Sequence, residues 1–276
     1  MTASATESLS PAFHANRARG RLDLTVVAAG DVTRVQRWRE EGSLRVRFPA
    51  HSPPLQAILL NNAGGIAGGD RFDLTVRLEE NARLSVTSAA AEKIYRSLGP
   101  LAQIDVRIAL ARGAELVWLP HETILFDQSR LARSIEIDLE PDARLWFAES
   151  LVLGRSAMGE ALNTGVLADR WRVRRGGRLV YADGVRLDGD IAATLAQKAS
   201  AGGAAALATA LIVPGNDDIV AAVRAREAEF RGEVGASAWN GVASLRLVAR
   251  NGAALRHDLA IALAAAGCVL PRAWLN

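Results

Sequence analysis

Apolar and polar residues alternate with a period of two along most of the first 180 positions, and this limits the fold more than any other feature. Leu22-Asp-Leu-Thr-Val26, Leu44-Arg-Val-Arg-Phe48, Phe72-Asp-Leu-Thr-Val-Arg-Leu78, Ile104-Asp-Val-Arg-Ile108, Ile135-Glu-Ile-Asp-Leu139 and Trp171-Arg-Val-Arg174 each place apolar side chains on one face of an extended segment. Such segments are half-buried strands. Turn clusters at Glu79-Glu-Asn81, Arg112-Gly113, Glu140-Pro-Asp142 and Arg175-Gly-Gly177 follow several of them. A second strand of the form small-x-Leu-x-apolar comes next, at Ala82–Val86, Ala114–Trp118, Ala143–Phe147 and Gly177–Tyr181, and these recur 32, 29 and 34 residues apart. A unit of that length cannot bury its own apolar face and must stack on its neighbours. The expected fold is mainly β, with stacked layers resembling an irregular β-helix or solenoid and longer loops leaving on one side. A plain β-sandwich is the other architecture this pattern allows.

Helices are expected to be few and to lie towards the C-terminus. Asn216–Phe230 starts with capping residues and carries apolar side chains at Ile219, Val220, Val223 and Phe230, which predicts one amphipathic helix. His257–Ala266, stopped by Gly267 with Pro271 beyond, predicts a second. Ala199–Ala206, with Gly202-Gly203 inside it, reads as a flexible link to the C-terminal section. Residues 1–20 hold Ser, Thr, Ala and Arg without an apolar core, so they are expected to be a flexible N-terminal tail rather than a secretory leader. A single β-rich domain over residues 21–276 follows.

Half of the 276 residues are hydrophobic and 23% are charged, which suits a folded chain and argues against disorder. No window approaches twenty apolar residues, so no membrane span is expected and the chain is placed in the cytoplasm. Net charge is only +3, and arginine greatly outnumbers lysine. An arginine-rich surface suits carboxylate-rich proteins as well as phosphates. The single cysteine, Cys268, excludes an intrachain disulfide and reads either as a small buried hydrophobe or as one thiolate on a transient metal path.

The motifs that suggest chemistry mostly fail on context. Gly64-Gly-Ile-Ala-Gly-Gly-Asp70 runs into a strand, where a phosphate loop needs a helix, so the glycines read as a turn with close backbone approach. Gly154-Arg-Ser-Ala-Met-Gly159 is one residue too long for a nucleophile elbow, and Ser156 is not assigned as one. His121-Glu122 lacks the second histidine of a zincin helix because position 125 is Leu. The histidines, His14, His51, His121 and His257, are scattered, so no stable metal site is expected. Asp70, Glu122, Asp127, Glu149, Glu160, Asp169, Asp183 and Asp188 lie in or beside apolar and glycine-rich segments. Oxygen donors hold a borderline divalent ion weakly, which suits transfer better than storage. Arg170, Arg172 and Arg174 share a strand face and form a possible docking stripe.

The ordered long segments then resemble a known family. Leu59–Arg71, with its glycine run, is similar to the glycine motif of the UreD (UreH) urease accessory proteins. Ala90-Ala-Glu-Lys-Ile-Tyr-Arg-Ser97 and Leu116-Val-Trp-Leu-Pro-His-Glu-Thr-Ile-Leu-Phe-Asp127 resemble two further segments of that family, and Glu149, Gly154-Arg155, Met158-Gly-Glu160 and Leu270-Pro-Arg-Ala-Trp274 extend the match. His121 stands where glutamine is expected, and Glu92 where threonine is common. The resemblance implies a β-helical, non-catalytic scaffold that binds apo-urease and a UreF-type accessory protein. A nickel-carrying GTPase of the UreG type joins through that complex, nickel passes transiently, and no cofactor is permanently bound. It also implies Asp70, Glu149 and Glu160, with Glu122 and Asp127, as candidates along a nickel route. Arg71, Tyr95, Arg96, Arg155 and Arg172 are orienting or partner-binding candidates, the arginines through charge-assisted hydrogen bonds. Two other readings remain: a β-helical carbohydrate-active hydrolase with Glu122, Asp127, Glu149 or Glu160 as paired carboxylates, and a nucleic-acid-binding protein using Arg170–Arg175.

Overall fold

A computed structural model describes residues 17–50, 54–155 and 158–274. His14, His51, Ser156 and most of the proposed N-terminal tail lie outside them. The described part of that tail is not loose at its end, since Arg19 and Gly20 already belong to the first strand.

The architecture is a β-solenoid of about four turns. The strands in chain order are β1 (Arg19–Ala29), β2 (Val32–Gly42), β3 (Leu44–Arg47), β4 (Leu55–Asn61), β5 (Arg71–Leu78), β6 (Arg83–Ser88), β7 (Glu92–Ile94), β8 (Ala102–Leu110), β9 (Glu115–Trp118), β10 (Thr123–Leu125), β11 (Arg130–Leu139), β12 (Arg144–Leu153), β13 (Thr164–Arg175) and β14 (Arg178–Asp190). Helix α1 (Ile191–Ala196), strand β15 (Ala206–Val213), helix α2 (Asp217–Arg224), strands β16 (Glu233–Trp239) and β17 (Val242–Ala249), and helix α3 (Gly252–Ala265) complete it. The chain coils between two sheets. β5, β8, β11 and β13 are parallel neighbours in the first, and β4, β6, β9 and β12 are parallel neighbours in the second.

The repeated small residue explains how the chain crosses between sheets. Three four-residue turns, ending at Ala82, Ala114 and Ala143, are closed by hydrogen bonds from those residues' N–H to the carbonyls of Glu79, Ala111 and Glu140 at 3.0, 3.1 and 3.0 Å. All three alanines are fully buried. They sit where the chain bends from one sheet to the other, and each turn stacks on the one before through Glu115 N–H to Ala82 O and Arg144 N–H to Ala114 O, both 2.9 Å.

The fourth copy of the sequence repeat does not repeat in space. At Gly176-Gly177 both residues have positive φ, 56° and 76°, and Arg175 pairs directly with Arg178. That is the backbone of a two-residue type I′ hairpin, so β14 folds back antiparallel on β13 within the first sheet. The solenoid therefore ends there, and β15, β17 and β16 extend only the second sheet, antiparallel to β12 and to one another.

The helices differ from expectation in their limits. Asn216 caps α2 by accepting from Ile219 N–H at 3.1 Å, but that helix ends at Arg224, and a separate 3-10 turn at Glu227–Glu229 replaces its predicted second half. The C-terminal helix stops before Gly267 as predicted, yet starts five residues earlier, at Gly252, because the Asn251 side chain caps it through Ala254 N–H at 2.9 Å. α1, capped by Asp190, was not expected. The stretch 199–205 is a turn that packs Ala201 into the core and leads directly into β15 at Ala206. One apolar core fills the space between the sheets, and a second lies between the outer face of the second sheet and α2 and α3. Cys268 belongs to that second core, where burial pushes its thiol up to about 12. The thiol is accordingly protonated and packs as a small hydrophobe. No helix among the described residues is long and apolar enough to cross a membrane.

Candidate functional site

Three charged residues occupy inward positions of the alternation. β11 points Leu131, Arg133, Ile135 and Ile137 inward, β13 points Leu167, Asp169 and Trp171, and β12 points Phe147, Glu149 and Leu151. Arg133 and Asp169 are direct partners in the register of the first sheet, and Glu149 faces them from the second. Arg133 grips Asp169 with two bonds, Nε to Oδ1 at 3.1 Å and Nη2 to Oδ2 at 2.6 Å, and Glu149 with one, Nη1 to Oε2 at 2.5 Å. Indole N–H groups complete the cluster: Trp118 donates to Glu149 Oε1, the oxygen that Arg133 leaves, at 2.9 Å, and Trp171 adds a second bond to Asp169 Oδ1 at 3.1 Å. All three charged side chains are at least nine-tenths buried.

Two carboxylates thus share one guanidinium, leaving one negative charge in excess. Burial opposes the charge on Arg133, but Asp169 and Glu149 outweigh it and hold the guanidinium above its ordinary pKa. Burial also dominates at Glu149 and raises its carboxyl, more than Arg133 and Trp118 lower it. Glu149 is thus the carboxylate that Arg133 holds by a single bond, and Asp169 the one it holds by two.

These residues line one side of a chamber of about 450 Å³ between the last strands of the two sheets. Cross-strand partners continue the polar lining along the second sheet, from Glu149 to Thr209 on β15 and Arg246 on β17. An ion pair spans the sheets there: Arg246 Nη2 lies 2.6 Å from Asp183 Oδ2 on β14, with the Tyr181 hydroxyl donating to the same carboxylate at 3.3 Å.

Most other sequence candidates lie on the loop side and hold loops. Ile66 bridges to Ile94, β7 pairs parallel with β10, and β10 with the end of β12. The glycine run, Ala90–Ser97, Leu116–Asp127 and the end of β12 before Gly154-Arg155 are therefore stacked in chain order. Gly68 explains part of the glycine run, since a Cβ there would lie 2.0 Å from Ser97 Oγ and 2.5 Å from Pro100 O. Tyr95 donates its hydroxyl to Gly64 O at 2.7 Å and packs edge-on against Phe126, and Asn61 reaches Glu92 at 3.2 Å. Asp70 accepts from Ala18 N–H and Ala67 N–H, both at 2.8 Å. Asp127 accepts from Asn163 N–H at 2.8 Å and Thr164 N–H at 3.0 Å. Glu160 is paired with Arg155, which also lies over the Phe126 ring. The Arg155 hydrogen bond is the largest influence on Glu160 and holds its carboxyl below the ordinary range.

Of the orienting arginines, only Arg155 meets one of its expected carboxylates. Arg71 and Arg96 are exposed and pair with neither Asp70 nor Glu149; the arginine that orients Glu149 is Arg133. The signal was legible, because Arg133 is in phase with Ile135 and Ile137 and so breaks an otherwise apolar face. Arg172 is exposed on the outer face of the first sheet, beside Glu136 in register; its neighbours Arg170 and Arg174 approach Ser134 and Asp138. The arginine stripe is thus matched by polar and acidic residues of the adjacent strand. Glu122 lines a small hollow with Pro120, Arg256 and Trp274.

His121 has a structural partner in the C-terminal helix. Arg256 Nη1 lies 2.7 Å from His121 Nδ1, stacks on Trp274 and donates to Ala273 O, while Trp274 donates to Leu119 O at 2.9 Å. A guanidinium only donates, so Nδ1 accepts and the imidazole is neutral. Burial first, and the Arg256 charge second, lower the His121 pKa. A histidine with a depressed folded pKa stabilises fully above its unfolded value of about 6.5 and loses that contribution as pH falls below it. Glutamine accepts the same bond without titrating. In thermal unfolding from pH 7.5 down to 5, His121→Gln should lose less melting temperature than the parent; equal slopes would remove His121 as a pH-dependent contact.

Comparison with known proteins identifies the family. The profile of the UreD urease accessory protein family matches residues 18–274. A urease accessory protein UreD from Rhodopseudomonas palustris strain BisB18 is 54% identical over 271 residues, covering 98% of each chain. One from Bradyrhizobium diazoefficiens is 50% identical over 268 residues, covering 97% of each. Urease accessory protein UreD 3 of Bradyrhizobium sp. strain BTAi1 is 50% identical over 278 residues, covering both chains completely. With its solenoid, its stacked signature segments and these full-length relatives, the chain belongs to the UreD family of urease accessory proteins.

Proposed function

We propose that this chain is a non-catalytic scaffold of urease maturation whose inter-sheet chamber forms part of the path that nickel takes into apo-urease. It binds apo-urease and a UreF-type accessory protein in the cytoplasm, and a UreG-type GTPase delivers nickel through that assembly. The observation that carries this reading is the cluster of buried charge set into the wall of a largely apolar chamber. It offers carboxylate oxygen at Glu149 and Asp169 and, nearer its rim, at Asp183. Buried charge of this kind adds little to stability compared with apolar packing, so its presence needs a functional account. Carboxylates bind a borderline ion such as nickel loosely enough to release it, whereas imidazole or thiolate sets hold it. Glu149 is the route candidate with the strongest support; Asp70, Asp127 and Glu160 act through the loops they fasten.

Co-expression with apo-urease and a UreF-type protein tests the assignment. Glu149→Gln keeps an acceptor for Trp118 and removes the charge that burial disfavours, so the ternary complex should form at the parental level with stability within about 1 kcal/mol. Urease activation by nickel should fall about ten-fold or more. Full activation by Glu149→Gln/Asp169→Asn at unchanged complex yield would exclude the chamber as the route.

A further inference from the structure

Arg133 places a cation against both carboxylates of the cluster, 2.5 Å from Glu149 and 2.6 Å from Asp169. Its side chain is only 4% exposed, and its charge cannot be discharged by deprotonation. The chamber nevertheless brings solvent-accessible space to all three residues. Without the guanidinium, two carboxylates would face each other in a partly desolvated cavity, where a divalent cation would be held strongly. With it, the position between them is taken, and the remaining excess is a single negative charge.

We propose that Arg133 is a resident counter-cation that keeps the Glu149–Asp169 pair from retaining a divalent ion. This rests on the reading of the chamber as a nickel route and adds what makes that route one of passage. The asymmetry of the contacts divides the labour. Asp169 is bound by two guanidinium N–H groups and one indole, and stays with Arg133. Glu149 has one guanidinium bond and one indole bond, so it is the oxygen donor that can turn to an ion passing Thr209. A passing ion then gains one carboxylate at a time and meets the fixed positive charge whenever it would bridge both.

Equilibrium dialysis of the full chain against nickel alone, with bound metal counted per chain, tests this independently of urease. Arg133→Met should retain about one nickel ion per chain at least about ten-fold more tightly than the parent, because a neighbouring positive charge has been removed at low dielectric. Its melting temperature should rise with nickel, and adding Glu149→Gln to Arg133→Met should abolish both effects. A folded Arg133→Met with nickel affinity within two-fold of the parent, or affinity indifferent to Glu149→Gln, would overturn the proposal. If Arg133→Met does not fold even with nickel present, the comparison of the parent with Glu149→Gln decides. Equal nickel counts support the counter-cation role, and loss of a tightly held ion on Glu149→Gln refutes it. Failure of the route itself would appear separately, as undiminished urease activation by Glu149→Gln in the assembled complex.

Discussion

Arg133→Met should lower the free energy of unfolding by about 3–5 kcal/mol in metal-free buffer, the usual cost of breaking a buried ion pair by removing one partner. The cause is less the lost attraction than the two carboxylates left behind, each more than nine-tenths buried, without a counter-charge. The cost should therefore be recoverable. Arg133→Met combined with Glu149→Gln and Asp169→Asn keeps acceptors for the Trp118 and Trp171 indoles while removing both negative charges. Most of the lost stability should return, since buried ionic clusters replaced as a whole are often neutral or stabilising. Urea unfolding of the three proteins measures this. A single variant within about 1 kcal/mol of the parent would mean that solvent in the chamber already neutralises the cluster.

Phe147→Ala should be as damaging by a different mechanism. Phe147 is fully buried, stacked on Trp118 at 5.8 Å with planes 12° apart, and edge-on to Trp171 at 5.1 Å. Removing it leaves a cavity in the inter-sheet core, at about 3–5 kcal/mol for a large aromatic side chain. It also releases the two indoles that hold Glu149 and Asp169, so the chamber should lose its shape along with its support. Trp38, which is 55% exposed at the edge of the first sheet and touches Phe48, is the control. Trp38→Ala should change stability by about 0.5 kcal/mol or less. The same denaturation assay separates the two, and a loss under about 1 kcal/mol for Phe147→Ala would show that the core closes over the gap.

Much of this arrangement could be read from residue order. The alternation in Phe72–Leu78, Ile104–Ile108 and Ile135–Leu139 located strands of the first sheet, and the recurring Ala82, Ala114 and Ala143 located the crossings into the second. Gly177–Tyr181 is the exception. Its small-x-Leu-x-apolar pattern matches the other three, but Gly176-Gly177 adopts the left-handed pair of a hairpin turn, and local backbone preference outweighs the resemblance of the strand that follows. Among the helices, Asn216 announces α2, which ends earlier than its apolar pattern suggests, α3 begins earlier because Asn251 caps it, and α1 follows a cap at Asp190 that the apolar pattern does not mark. At the site, Glu149 was named from sequence for its motif position, whereas Arg133 was passed over although it stands in phase with Ile135 and Ile137.

The sequence by itself determined which way each side chain faces, where the chain turns, and which family it joins. Those properties depend on neighbours within a few positions, through the two-residue pleat of a strand, the φ preference of glycine, and the order of signature segments. Tertiary structure alone decided what each inward residue meets. Arg133 finds Glu149 16 residues away across the interior and Asp169 36 residues away on the adjacent strand. A period of two says that all three point inward, but their contact is set by the register between turns of the solenoid and by the spacing of its two sheets, which no local pattern encodes. That long-range contact makes Arg133 the centre of the buried cluster, while Asp70 and Asp127 accept backbone N–H bonds and Glu160 pairs with Arg155 on the loop side.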